Sequence, residues 1–352
     1  MVSPEEQVKK LAILLYFCVV FVVLLLWQVG FGSVNNVGTE PSSMAEMHKT
    51  YFRQGYRLVG NHLHSAVKVC QWTKESLRHN RVCYKELWYP PVQSHRCMMM
   101  TPYLGCNCHC LYCWRLHTHD RPRLNWKKFP LAIKEFDEPA QIVEQAIEKR
   151  RLLLTGWKGN PKADRKKFEE ALKPTMMTMS LTGEPTLYPQ TSELIREAEK
   201  KGMITFLVTN GTVPEALEKL SPLPFQLYVS VSAPNKKKYL TVVKPLVKEA
   251  WEKLNRTLEM LPSLNTRKVL RLTMIKGWNM TGHKEYAEFI KKAQPNFIEV
   301  KAYEWVGQSQ KRLPKNAMPY MQDIEEFAEK LSLHSGYVVK AKFEPSGAVL
   351  LA

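Results

Sequence analysis

The 352 residues carry 51 Lys and Arg against 33 Asp and Glu, a formal net charge of +18, with 45% hydrophobic content and 22 prolines. That composition excludes wholesale disorder, and at roughly 100–200 residues per domain it fits one large domain or two small ones. The basic excess points to a polyanionic partner, either nucleic acid or an anionic membrane surface.

The chain opens on an apolar run of 17 residues, Leu11 to Trp27, and no charge occurs between Lys10 and Glu40. As a helix this run would span ~26 Å, close to a bilayer core, with Lys9 and Lys10 favouring a cytoplasmic N-terminus. The alternative is a start set too far upstream, because Met44 and Met47 are internal starts. Residues 1–43 hold two lysines and three glutamates, so a chain of 309 residues from Met44 would carry +19. The charge therefore belongs to the body, and 1–43 is expected to be a membrane anchor or a mis-set start.

Seven of the eight cysteines fall between Cys70 and Cys113, and none occurs in the 239 residues that follow. A disulfide framework would spread its bridges along the chain, so metal or cluster ligation is the better reading. Cys106, Cys110 and Cys113 form C-x3-C-x2-C: three thiolates on a short loop can hold three irons of a [4Fe–4S] cube and leave the fourth open. Zinc would ask for a second C-x2-C knuckle, which is absent from the sequence. Cys108 lies off the spacing and reads as a bystander, and Cys18 in the apolar run as a small hydrophobe. Upstream, Cys70, Cys83 and Cys97 could carry a second cluster.

From Arg96 the pattern alternates. Apolar, β-rich runs at 96–103, 175–181, 203–209, 225–231, 269–275 and 296–303 are separated by amphipathic stretches such as 139–154, 191–200, 246–261 and 282–292. Such β–α pairs predict an α/β fold of parallel strands with crossover helices, closed as a barrel or open and doubly wound. Chemistry then belongs in the loops at the C-terminal strand ends, where the cysteine loop falls. Residues 156–173 are too polar for a core element and read as a surface insertion, and 336–352 as a closing hairpin.

C-x3-C-x2-C after the first strand, with Tyr112 before the third cysteine, resembles the radical S-adenosylmethionine superfamily. The resemblance implies a partial (β/α)6 barrel at 96–310, an N-terminal cluster-binding extension at 44–95 and a C-terminal helix and hairpin at 311–352. It implies S-adenosylmethionine on the open iron. Glu184 in Thr182-Gly183-Glu184-Pro185 would meet the methionine amino group, although Thr182 stands where the family has glycine. Asn210, Ser230 and Ser232 would complete the cofactor contacts. Further motifs narrow the match: SHRC at 94–97, WR at 114–115, GEPTLYP at 183–189, FLVTNG at 206–211, QLYVS at 226–230 and FIEVK at 297–301. Together they resemble the archaeal-type 4-demethylwyosine synthases of the wybutosine pathway.

That family condenses N1-methylguanosine beside the anticodon of tRNA-Phe with two carbons of pyruvate. The resemblance implies two [4Fe–4S] clusters, the second on Cys70, Cys83 and Cys97, and an external donor such as ferredoxin or flavodoxin. It also implies a lysine forming an imine with pyruvate, for which Lys85 is the first candidate and Lys276 and Lys301 are runners-up. The body would be a cytoplasmic monomer, tracking phosphates through basic clusters at 121–128, 149–151, 165–167, 236–238 and 311–315. Trp114, Trp126 or Trp305 would be available to stack an extruded base. His117 and His119 read as solvated residues rather than ligands. The rival readings are a radical enzyme acting on another macromolecule and a two-cluster electron carrier.

Overall fold

The computed structural model describes residues 48–116 and 135–352. The apolar run and Cys18, and the segment holding His117, His119, Trp126 and the 121–128 cluster, lie outside the described residues. The described residues fall within one compact unit, Glu46–Ala352. Among the described residues no helix is long and apolar enough to cross a membrane.

The six expected strands are present: β3 (Cys97–Thr101), β4 (Met176–Met179), β5 (Ile204–Thr209), β6 (Gln226–Ser230), β7 (Arg267–Met274) and β8 (Phe297–Ala302). Each pairs in parallel with the next in the chain. A doubly wound sheet would reverse its order at a switch point, so this sequential order selects the barrel-type wall. The sequence reading did not foresee β1 (Arg57–Val59) and β2 (Ser65–Lys68), which extend the wall antiparallel before β3. At the other side the expected hairpin forms from β9 (Val339–Phe343) and β10 (Ala348–Leu351). β10 inserts between β8 and β9 to complete a sheet of ten strands, in the order β1-β2-β3-β4-β5-β6-β7-β8-β10-β9.

Side chains alternate across the strands with a period of two, and the two faces differ in chemistry. The outward set, including Met98, Met177, Leu207, Leu227, Leu270 and Ile298, packs under the crossover helices as the main core. The inward set is largely polar: Thr178, Ser230, Arg271, Thr273 and Lys301, together with Cys97 at the start of β3, line a cavity. Deeper in, Phe206, Tyr228, Val269 and Phe297 close over Tyr89 and Val92.

Those last two belong to the segment between β2 and β3, which carries α1 (Gln71–His79) and α2 (Tyr84–Trp88). The segment lies across the inner face from β3 to β9, where the rings of Trp72 and Tyr84 stand 5.3 and 6.1 Å from Phe343. A polar bolt holds it there. Glu299 of β8 is fully buried, and its carboxylate accepts from Tyr89 Oη at 2.9 Å, Tyr84 Oη at 3.2 Å and Arg271 Nε and Nη2 at 2.9 and 2.8 Å. A buried carboxylate without these partners would cost several kcal/mol, about the worth of many apolar contacts.

α3 (Pro139–Leu154) covers the outside of β3, and its Arg150, although buried, donates to Cys97 O at 3.1 Å, His95 O at 2.7 Å and Ala171 O. The 149–151 cluster is therefore not a phosphate track as a unit, because Arg150 is buried with each guanidinium nitrogen on a carbonyl. Residues 156–173 also depart from the surface-insertion reading. They form α4 (Arg165–Ala171), capped by Asp164 accepting from Lys167 N at 3.0 Å, and the fully buried Ala171 packs on Val69, Leu77 and Leu154. Phe168, Ala171 and Leu172 share one helical stripe, which was too narrow to register among the surrounding charges.

Arg150→Met would leave three buried carbonyls unsatisfied. We expect a loss of about 3 kcal/mol or more in urea unfolding, against about 0.5 kcal/mol for the exposed neighbour change Arg151→Met. Equal losses for both would refute the assignment of Arg150 as the tie.

Candidate functional site

The cysteine loop leaves the C-terminal end of β3 and is strapped on three sides. The stretch after α5 (Lys236–Val242) receives it as a short antiparallel lace: Leu111 N donates to Val242 O at 2.9 Å, His109 N to Lys244 O at 3.0 Å, and Leu246 N to Asn107 O at 2.9 Å. From the β4 side, Glu184 N donates to Gly105 O at 2.7 Å. Gly183 has φ of +71°, and a Cβ there would run into Tyr103 O, so glycine is required for this approach. From the C-terminal side, Arg312 donates to Leu111 O at 3.3 Å and to Cys113 O, and Gln308 N to Trp114 O at 2.9 Å. Arg312 is thus spent on the loop rather than on phosphates.

Cys106, Cys110 and Cys113 all line the cavity of about 420 Å³, as do Tyr112, Glu184, Asn210 and Ser230. Burial and then the neighbouring Cys113 push the Cys110 thiol up to about 12, and burial with Cys110 raises Cys106 well above its ordinary value. Such thiols ionise only against a bound cation. Glu184 is fixed before any ligand arrives: its carboxylate accepts from Thr209 Oγ1 and Thr186 Oγ1, both at 2.7 Å, and from Asn210 N at 2.8 Å. Burial nevertheless lifts its pKa, so an ammonium group would be welcome there. Asn210 Nδ2 donates to Asn107 Oδ1 at 2.8 Å and lies 3.4 Å from Cys108 Sγ. Cys108 itself is packed into the core. Ser232 sits beneath Tyr112 and outside the cavity lining.

The second triad opens onto the same cavity. Cys70 and Cys83 are the N-cap residues of α1 and α2, where backbone N–H groups of the first turns point at their sulfurs, and Cys97 begins β3. Burial and then Cys70 push Cys83 up to about 12. A cube binds each thiolate through a different iron, so its ligands stand further apart than those of one ion. Among the described residues no three Cys, His, Asp or Glu side chains are gathered to hold a single ion. Each triad has the soft thiolate chemistry that could hold three irons of a [4Fe–4S] cluster.

Lys85 follows Cys83 by two residues and extends along the inner face, its Nζ 4.6 Å from the Tyr228 ring centroid and 5.0 Å from that of Phe206. Burial, then the positive Arg271, lower its pKa. Glu299 is occupied by Arg271 and the two tyrosines, leaving the lysine an aromatic bed instead of an ion pair. The runners-up are placed differently. Lys276 is outside the cavity, bonded to Asp323 at 2.7 Å, and Lys301 lines it but is tied to Glu304 at 2.7 Å and Ser346 O at 2.8 Å. Trp114 lines the cavity, whereas Trp305 donates Nε1 to Leu313 O at 2.9 Å within the packing. Sequence reading missed Arg271, Glu299, Tyr84 and Tyr89. The available signal was charge inside the apolar runs 269–275 and 296–303, Arg271 in the first and Glu299 with Lys301 on one parity in the second.

Residues 100–290 match the radical SAM superfamily and residues 292–352 the family of wyosine base formation. The chain is 46% identical to the S-adenosyl-L-methionine-dependent tRNA 4-demethylwyosine synthase of Pyrococcus horikoshii, over 90% of its own length and 91% of the relative's. It belongs to the 4-demethylwyosine synthase family. The enzyme of the same name from Oryza sativa is 38% identical over 85% of this chain but only 45% of its own length. Among solved 4-demethylwyosine synthase structures, TYW1 with a lysine–pyruvate adduct bound superposes with a TM-score of 0.77 at 32% identity, covering 89% of this chain and 96% of that one. An archaeal TYW1 structure gives 0.69 at 30% identity, with the same coverage.

Gly183→Ala adds a methyl group where the cysteine loop passes. We expect S-adenosylmethionine affinity, read by equilibrium dialysis on the anaerobically reconstituted protein, to fall at least about tenfold, with the iron bound by Cys70, Cys83 and Cys97 retained. Unchanged affinity would show that the loop tolerates displacement.

Proposed function

We propose that this chain is a tRNA 4-demethylwyosine synthase, condensing N1-methylguanosine beside the anticodon of tRNA-Phe with pyruvate to form the tricyclic base. The observation that carries this reading is the single cavity onto which both cysteine triads, Glu184 and Lys85 open. Cys106, Cys110 and Cys113 would hold a [4Fe–4S] cluster that, with S-adenosylmethionine, would supply the 5′-deoxyadenosyl radical chemistry needed to activate the N-methyl group. Glu184, held by its four donors, receives the methionine ammonium, and Tyr112, Asn210 and Ser230 flank it. Ser232 acts from below, through Tyr112.

Lys85 is the residue that captures pyruvate. Its amine attacks C2, water leaves, and the resulting imine lies over Tyr228 and Phe206 with C2 presented to the substrate radical, whose addition there lets the C1–C2 bond break. Holding both reactants in one enclosure supplies much of the rate. The second cluster, on Cys70, Cys83 and Cys97, stands beside that lysine. Two of pyruvate's three carbons enter the base, so a C–C bond of pyruvate breaks and the enzyme is a carbon–carbon lyase. Every group invoked comes from one chain, in keeping with a monomer. The tRNA substrate, the oxygen-sensitive clusters and a ferredoxin or flavodoxin donor suit the cytoplasm.

The test is anaerobic: reconstituted protein, dithionite, S-adenosylmethionine, pyruvate and tRNA bearing N1-methylguanosine, with the product base read by mass spectrometry. Release of 5′-deoxyadenosine without the tricyclic base would sink the proposal. Lys85→Arg should lose the borohydride-trapped pyruvate adduct and lower ring formation about 100-fold or more, because misplaced reactants alone cost that much. Cys83→Ala should retain roughly half the iron and S-adenosylmethionine cleavage while losing ring formation. Full iron in that variant would remove Cys83 from the ligand set.

A further inference from the structure

A groove with no part in the cavity runs under the N-terminal ends of β3 and β4. Arg96, Arg151, Lys158 and Lys173 line it, with Glu169 and Glu170 on the same wall. Among the described residues none of the four cations has a carboxylate partner, whereas Glu170 is engaged by His95 Nε2 at 2.7 Å. The arginines use Nε to hold the groove in shape, Arg96 on Lys173 O at 3.1 Å and Arg151 on Leu172 O at 3.0 Å. Their remaining N–H groups face solvent or Gln93. Phe168 and Leu172, also in the lining, give the groove an apolar spot.

The groove is also close to the second triad. Arg96 is peptide-bonded to Cys97, and Arg150 reaches inward to Cys97 O at 3.1 Å while its neighbour Arg151 faces the groove. One turn of α3 thus touches a cluster ligand with one guanidinium and the surface with the next.

From this juxtaposition we infer that the groove is the docking surface for an acidic one-electron carrier protein. The inference rests on the proposed function, which requires an external donor and a cluster on Cys70, Cys83 and Cys97. Charge complementarity specifies the partner: unpaired cations around a small apolar spot favour fast, salt-sensitive, transient docking of an acidic surface. tRNA fits the groove less well, because the substrate base must enter beside the cysteine loop. That loop leaves the opposite end of β3, a strand of five residues or ~17 Å. The carrier gives up one electron and is oxidised, the protein's iron–sulfur centre gains it, and no atom is transferred.

The experiment uses the full, cluster-loaded chain and two probes, a reduced flavodoxin and a reduced [4Fe–4S] ferredoxin. The variant is Arg151→Glu/Lys158→Glu/Lys173→Glu, with Lys330→Glu on another helix as the control. Calorimetric affinity for either carrier should weaken at least tenfold in the triple variant and not in the control, and its salt dependence should flatten. tRNA affinity and dithionite-driven ring formation should stay at the parent level. Lys158→Glu alone should show the same direction in smaller measure, which keeps the test valid should the triple variant fold poorly. Unchanged affinity for both carriers overturns the inference, as does a loss of tRNA affinity with carrier binding intact. Absence of dithionite-driven ring formation in the parent chain would instead overturn the function proposed above, independently of carrier binding.

Discussion

A carboxylate enclosed by protein must be met by donors in place of water, and at Glu299 those donors come from two distant parts of the chain. Arg271 neutralises it from the adjacent strand, while Tyr84 and Tyr89 reach it from the segment that precedes the first barrel strand. Burial alone would lift its pKa, but Arg271 and Lys85 outweigh burial and hold it below the usual carboxylate range. The bond therefore persists as an ionised one at neutral pH. Without it, α2 would rest on the inner face chiefly through aromatic contacts. With it, Cys70, Cys83 and Lys85 are set against the barrel wall.

The site is layered along the strands. At the C-terminal ends lie the cysteine loop and Glu184, tied by backbone bonds that need glycine at 183. Midway, Arg271, Thr273 and Lys301 project inward. Toward the N-terminal ends the aromatic rings of Phe206, Tyr228 and Tyr89 close the space. Lys85 rests on that aromatic floor, where a cation is tolerated and an amine is favoured by burial and a neighbouring guanidinium. In the function proposed above, cleavage of a sulfonium and capture of a keto acid share one enclosure while drawing on opposite ends of it.

Much of this was legible in the sequence. The six parallel strands follow from apolar runs of β-rich residues, and both cysteine triads and Lys85 from spacing and resemblance. β1 and β2 were not legible, because strands of three and four residues are stabilised by the partner they pair with rather than by their own pattern. Arg271 and Glu299 escaped because hydrophobic averages absorb a single charge in a strand, although that charge marks the polar inner face. Arg150 misled in the opposite sense. In a sequence it counts toward a basic surface cluster, yet three carbonyls consume its donors, and only tertiary structure says which way a helix turns its arginines.

The strap from the C-terminal region has a consequence for biogenesis. Gly307 packs against Trp114 O so closely that no side chain fits, and Arg312 grips the loop at Leu111 and Cys113. These residues leave the ribosome some 200 positions after the cysteines they immobilise. Iron offered to the nascent chain would meet a loop still missing one of its three ties. The geometry that Cys106, Cys110 and Cys113 present is therefore complete only once the C-terminal part of the chain has folded onto the loop.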